Sequence, residues 1–143
     1  MGEASVFESQ PSSLTLNILN GGTLVLSSFR SKPVMIDFRT SWCVPCRQEA
    51  ADVEAAWQKY KDKAVFIGIN IWDNKKDAKD FAARFGASYY VGTDPKGAVA
   101  MVYGVTGIPE KYFIDSQGKI VKKYVGPFDE ARLSQALGDL LSH

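Results

Sequence analysis

Cys43 and Cys46 are the only two cysteines in this 143-residue chain, and only Val44 and Pro45 separate them. Stabilisation by a disulfide grows with the length of chain it closes, so a bridge across so short a stretch would be a weak staple. The spacing suits chemistry better. A thiolate attacks a disulfide sulfur to form a mixed disulfide, and a second thiol already in reach resolves it. The pair stands between an apolar run, Val34-Met-Ile-Asp-Phe38, and a stretch of helical periodicity beginning at Val44. A sulfur at a helix N-terminus faces unpaired backbone N–H groups and the positive end of the macrodipole, which favour the thiolate. Cys43 is therefore expected to be the accessible nucleophile, and Cys46, one turn on, the buried resolving thiol.

Magnitudes show which part of this arrangement matters most. Lowering a thiol pKa from about 8.5 to about 7 raises its thiolate fraction at pH 7 roughly 16-fold, while a Brønsted slope near 0.45 cuts its intrinsic nucleophilicity about 5-fold. The net gain is only about threefold. Having the partner thiol in place counts for more, and a more acidic Cys43 also leaves more readily.

Other uses of two cysteines are weighed against this one. Zinc needs two more ligands, and the only histidine is His143 at the end of the chain. A soft ion such as Cu(I) held by the two thiolates, in a non-catalytic binding module, is an alternative without a supporting Met or His cluster. No metal is expected, and no cofactor beyond a redox-active Cys43–Cys46 disulfide.

The elements that must position the pair are legible on either side. Leu14-Thr-Leu-Asn-Ile18 alternates with period two, Asn20-Gly21-Gly22 turns the chain, and Thr23 to Leu26 returns as the second strand of a hairpin. The apolar runs at 34–38 and 64–71 are expected as buried strands. A helix is expected from Val44 to about Lys61, with Ala50, Val53, Ala56, Trp57 and Tyr60 on its inner face. A second runs from Lys75 to Phe85 and ends at Gly86. Beyond it come a short strand at 89–91, a short helix at 98–103, strands at 111–114 and 119–125, and a final helix at 130–141. In that last helix Leu133, Leu137, Leu140 and Leu141 are expected to face inward, with Asp129 as its cap. Strand–helix–strand connections imply a right-handed parallel crossover. The fold class is α/β: a mixed central sheet with helices on both faces and an N-terminal hairpin. A polar segment, 1–13, precedes a single domain, 14–143.

Composition sets outer limits. Hydrophobic residues make up 45% and charged residues 23%, and the formal charge is +1. Those values exclude disorder and offer no general attraction to nucleic acid or anionic membrane. The opening Met1-Gly2-Glu3-Ala4-Ser5-Val6 lacks the basic and apolar regions of a secretory signal. Either a cytoplasmic protein or one whose leader or membrane anchor lies in a segment absent from this chain would fit.

Trp42-Cys43-Val44-Pro45-Cys46 resembles the active-site motif of the thioredoxin superfamily, and the likeness extends from Leu14 to Leu141. Within that superfamily, Ser28-Phe-Arg-Ser-Lys-Pro33, Asp94-Pro-Lys-Gly97, Tyr103-Gly-Val105, Gly107-Ile-Pro-Glu110 and Phe113-Ile-Asp-Ser-Gln-Gly-Lys-Ile120 are similar to the TlpA/ResA/DsbE-like extracytoplasmic branch. The resemblance implies a thioredoxin fold and a monomeric protein thiol-disulfide oxidoreductase located outside the cytoplasm. It would take oxidised protein substrates, apocytochrome c among the candidates, and a separate thiol electron donor. A thiol peroxidase of peroxiredoxin type shares the fold but needs a Pro-x-x-x-Thr-x-x-Cys loop, and Arg39-Thr-Ser-Trp42 supplies no such proline.

The resemblance also assigns roles. Ile108-Pro109 would be a cis peptide facing the cysteines, with the Ile108 backbone open to an extended substrate segment. Trp42 and Pro45 would line the docking surface. Asp37 matches the buried acid of thioredoxin, where the ResA-like branch more often has Asn. In an apolar strand its pKa is expected to rise, unless a neighbouring backbone group satisfies it. Glu49, three residues after Cys46, matches an acid typical of ResA/DsbE-like proteins and would move protons or tune the thiols. By helix pattern alone it is a solvated first-turn Glu. Glu110 resembles a DsbE-type feature that biases partner choice, or else an exposed strand residue.

Overall fold

The computed structural model describes residues 14–29 and 31–142; the polar segment 1–13 and His143 lie outside the described residues. Among these residues the strands are β1 (Thr15–Ile18), β2 (Thr23–Val25), β3 (Val34–Arg39), β4 (Val65–Ile71), β5 (Tyr90–Asp94), β6 (Glu110–Ile114) and β7 (Ile120–Val125). The helices are α1 (Val44–Tyr60), α2 (Lys75–Arg84), α3 (Ala98–Tyr103) and α4 (Glu130–Leu141), with a 3₁₀ turn at Leu26–Phe29. One sheet in the order β2-β1-β5-β4-β3-β6-β7 joins all the strands.

β3 lies inside the sheet, parallel to β4 on one side and antiparallel to β6 on the other. All six of its residues are buried, as a strand covered on both faces requires. Alternation then divides its side chains. Ile36 and Phe38 join Ile67, Ile69, Tyr112 and the α3 residues Ala100 and Tyr103 in one core layer. Met35 joins Phe66 and Phe113 under Val53 and Ala56 of α1 and Leu133, Leu137 and Leu140 of α4. Asp37 and Arg39 are in register with Met35, so their side chains point to the α1 face.

The expected elements are present, with corrections at their margins. The strand expected at 89–91 runs instead from Tyr90 to Asp94, because β1 docks antiparallel against its far end, pairing Asn17 with Thr93 and Ile18 with Gly92. Gly92 interrupts the β-branched pattern in the sequence, but a Cβ there would strike the Leu16 side chain and the Asn17 carbonyl. The glycine is what lets the hairpin join the sheet. Leu141, expected inward, is only half-buried, as are Trp57 and Tyr60.

Gly92→Val should push β1 off β5. We expect a loss of about 1–3 kcal/mol in denaturant unfolding, the usual cost of overpacking. Amide exchange should accelerate first in 15–25 while β3 and β4 stay protected; uniform acceleration would contradict this role for Gly92.

Candidate functional site

β3 delivers the chain through Thr40, Ser41 and Trp42 to Cys43, the N-cap residue of α1. Cys43 has φ −92° and ψ 117°, the extended conformation of an N-cap, and Pro45 occupies the first turn, where its missing N–H costs nothing. The Cys46 backbone N–H donates to Cys43 Sγ at 3.2 Å. A sulfur thus takes the place of the capping oxygen, in the position where a negative charge is best stabilised. The two cysteines form a disulfide, with Cα atoms 5.2 Å apart. Cys43 is 7% exposed and Cys46 2%, so in the oxidised form both are buried, the first a little less than the second, which corrects the expectation of a freely accessible Cys43. Ala50, Phe81 and the half-buried Phe85 and Ile108 surround the pair.

Trp42 is 58% exposed beside the sulfurs, Val44 is 51% exposed, and Pro45 is also at the surface. The Ile108–Pro109 peptide is cis, and Ile108 presents its carbonyl oxygen 4.0 Å from Cys43 Sγ. Cysteines, tryptophan and proline loop therefore meet at one end of the sheet.

Two polar clusters hold the flanks of this arrangement, the first of them without a counterpart among the residues singled out from the sequence. Asp73 accepts from the Ser41 N–H and hydroxyl, both at 2.7 Å, from the Thr40 hydroxyl at 3.1 Å and from Asn70 Nδ2 at 2.9 Å. Arg47 Nη1 also donates to the Ser41 carbonyl at 3.0 Å. The approach to Cys43 is thereby pinned on both sides.

On the other flank, Glu110 is fully buried, which corrects the alternative of an exposed strand residue. Its carboxylate accepts from the Thr106 N–H and hydroxyl, each at 3.2 Å, and from the Tyr112 hydroxyl at 2.8 Å. It fastens the loop that carries Ile108 and Pro109 from beneath and does not present itself to a partner.

Beneath α1 lies a third cluster. Glu49 is 3% exposed, not the solvated residue that helix pattern alone suggests. Both its oxygens accept from Lys111 Nζ at 2.7 Å, and Oε1 also accepts from the Phe128 N–H at 2.8 Å. Lys111 is directly across from Asp37 in the β3–β6 register, and its Nζ lies 3.3 Å from Asp37 Oδ1. Arg39 Nη1 approaches Asp37 Oδ2 at 3.5 Å and donates to the Tyr89 hydroxyl at 2.8 Å, while Nε donates to Asn70 at 2.7 Å. Room for the guanidinium comes from Gly68, where a Cβ would fall 2.5 Å from Arg39 Cζ. Asp37, Arg39 and Lys111 are all nearly inaccessible. Burial, and then the charge of Asp37, push Glu49 up to about 7 from 4.5, against the opposing pull of Lys111 and the Phe128 N–H.

The structure therefore brings Asp37 and Glu49 together beneath α1 and joins them through Lys111. Asn70, Asp73, Arg39 and Lys111 were missed because each is one polar residue inside an apolar strand or a turn. The signal available was the pairing of opposite charges, Asp37 with Lys111, but it needs the strand register to be read.

An acid whose folded pKa lies above its unfolded value stabilises the fold below the unfolded pKa and loses that contribution as pH rises through the folded one. The stability of the protein relative to Glu49→Gln should therefore fall between pH 4.5 and about 7 and level off above. Denaturant unfolding of both proteins across that range checks the sign; a difference that rises with pH would refute it.

Comparison with known proteins places these features in a lineage. The redoxin family model matches residues 8–140. Thioredoxin-like protein YneN of Bacillus subtilis (strain 168) is 30% identical over 131 residues, covering 90% of this chain and 76% of that protein. Thiol-disulfide oxidoreductase ResA of Bacillus thuringiensis subsp. konkukian (strain 97-27) is 28% identical over 120 residues, 83% of this chain and 69% of ResA. A crystal structure from Chlorobium tepidum, provisionally assigned as the thiol:disulfide interchange protein DsbE, superposes with a TM-score of 0.82. It is 33% identical and covers 90% of this chain and 92% of that one. With its thioredoxin fold and its cysteine pair capping α1, the chain belongs to the redoxin family, in the ResA- and DsbE-like branch of the thioredoxin superfamily.

Proposed function

We propose that the protein is a thiol-disulfide oxidoreductase that reduces disulfides in other proteins by cycling Cys43 and Cys46 between dithiol and disulfide. The observation that carries this reading is the Cys43 sulfur at the α1 N-cap, accepting the Cys46 N–H at 3.2 Å and facing the Ile108 carbonyl at 4.0 Å. The Cys43 thiolate attacks one sulfur of a substrate disulfide; the S–S bond breaks, and the departing substrate thiolate takes up a proton. Cys46 then gives up its proton and attacks Cys43 Sγ, which frees the second substrate thiol and leaves the Cys43–Cys46 disulfide. Two electrons have passed to the substrate. An external dithiol returns them, so the redox-active disulfide is the only electron carrier required.

Trp42 and Pro45 offer an apolar approach, and the Ile108 backbone offers an edge for an extended substrate segment. Glu49, one turn beyond Cys46 on α1, is the nearest acid in sequence to the resolving thiol and suits proton exchange with it. The relatives' names, thiol-disulfide oxidoreductase and thiol:disulfide interchange protein, support the reaction; we extend the reading to a monomeric reductant working outside the cytoplasm on oxidised proteins, apocytochrome c among the candidates. Pro45 in the third position of the motif, as in reducing thioredoxin, favours that direction of electron flow.

Cys46→Ala should trap a disulfide-bonded model protein on Cys43 as an adduct that dithiothreitol releases, and turnover should fall by at least about 10³-fold. Cys43→Ala should neither trap nor turn over. Mass spectrometry of the adduct and a coupled reduction assay read both outcomes. Absence of the adduct, or turnover by Cys43→Ala, would remove this assignment.

A further inference from the structure

Among the described residues, Lys111 is the one cation that pairs with both Glu49 and Asp37, at 2.7 Å and 3.3 Å. Its origin explains why it can. Lys111 and Phe113 alternate with Glu110 and Tyr112 along β6, so Lys111, two residues after Pro109, lies on the face that α1 covers. Its register partner there is Asp37, six residues before Cys43; its helical partner is Glu49, three after Cys46. The lysine thus sits between the strand that leads into the motif and the helix that leads out of it.

We propose that Lys111 is a positioning residue for the thiol chemistry: by pairing with Asp37 and Glu49 together, it keeps the buried ground under the α1 N-terminus from becoming negative and so keeps the cysteine pair ionisable near neutral pH.

The argument is one of charge in a site that water does not reach. The groups that face one another are Asp37 and Arg39 from β3, Glu49 from α1, Lys111 from β6, the uncharged Asn70 from β4, whose amide also donates to the buried Asp73 at 2.9 Å, and the Tyr89 hydroxyl beside β5. On the α4 side Phe128 separates Lys111 from the solvent, with the Lys111 Nζ 5.5 Å from the ring centre and the Arg132 guanidinium 4.1 Å from it. With all four ionised, two carboxylates balance two cations. Protonating Glu49 leaves a net positive charge, and deleting Lys111 lowers the sum by one whatever the state of Glu49. Cys46 stands one helical turn from Glu49 and Cys43 a further turn away at the N-cap; a thiolate on either feels that change in buried surroundings, where a nearby opposite charge lowers a pKa by about one unit or more. A merely structural lysine would satisfy the same bonds, but its removal would change stability without moving the titration of the thiols.

The proposal rests on the oxidoreductase reading for its purpose but is tested apart from it. The full reduced chain is titrated by thiolate absorbance, with iodoacetamide alkylation of Cys43 as a second readout, in wild type, Lys111→Met, Lys111→Arg, Glu49→Gln and the double variant Glu49→Gln/Lys111→Met. The first thiol transition should move up by about one pH unit in Lys111→Met, with an alkylation rate about tenfold lower on the acidic side, and Lys111→Arg should restore both. Lys111→Met leaves two carboxylates buried with one cation, and so the single variant can fail to fold. The double variant removes one charge of each sign, and its transition should lie about one unit above that of Glu49→Gln, from which it differs only at the lysine. A double-variant profile that superimposes on that of Glu49→Gln overturns the proposal, as does a Lys111→Met profile that superimposes on wild type. If such superposition comes with normal substrate capture by Cys46→Ala, the role of Lys111 falls and the oxidoreductase reading stands. Shifted profiles without capture support Lys111 and remove the reading instead.

Discussion

Four ionisable side chains, Asp37, Arg39, Glu49 and Lys111, are held out of water between the sheet and the first helix, and that placement constrains the site most strongly. Each would cost several kcal/mol to bury alone, and pairing recovers the cost only when geometry and hydrogen bonds are both good. The chain meets this condition by register. Because Asp37 and Lys111 are opposed across β3 and β6, and Arg39 reaches back to Asp37, a slip of one residue in either strand would place a charge in the apolar layer beside α3. The same register aligns the strand ahead of Cys43 with the strand after Pro109. Ion pairing and active-site geometry are thus two consequences of one strand alignment.

Fixing the sulfurs takes a second kind of contact, local to each loop. Asp73 ties Thr40 and Ser41 to the end of β4, and Glu110 ties Thr106 to β6. Both acids bind backbone N–H groups as well as hydroxyls, so they order main chain that belongs to no strand or helix. Removing Asp73 would leave the buried Thr40 hydroxyl and Asn70 amide each short of a partner, at about 1–3 kcal/mol each, whereas removing Glu110 would free the donors of the exposed Thr106 and cost less. Cys43 and Ile108 come from opposite ends of this frame, and their 4.0 Å approach depends on both loops being held.

Much of this was readable from residue order, and the failures have a physical pattern. The chemistry was visible because Cys43 and Cys46 carry it on one helical turn, and strands such as 34–38 were visible because burial on both faces leaves a nearly unbroken apolar run. What local periodicity cannot show is a partner from a distant strand. Lys111 looked like an ordinary strand opening, and Arg39 like the first polar residue after an apolar strand. By local pattern alone Glu110 and Glu49 read as open to solvent, because nothing near them in sequence accounts for burying an acid; only the family resemblance gives them a role. Gly92 misled in the other direction, since a residue chosen for the close approach of Leu16 looks locally like a break in the strand.

On the proposed reading, two features with different properties act on the thiols. The N-terminus of α1 is fixed by the backbone and acts on Cys43, the capping sulfur, at every pH. The Lys111 cluster lies deeper, beside the helical turn that follows Cys46, and its net charge changes when Glu49 takes up or loses a proton near pH 7. Attack on a substrate needs the first sulfur ionised, whereas resolution needs the second to lose its proton only after the mixed disulfide has formed. A constant field suits the first requirement. The second suits a buried acid one turn from Cys46 whose charge changes near pH 7, beside a lysine that keeps the cluster from becoming negative in either state.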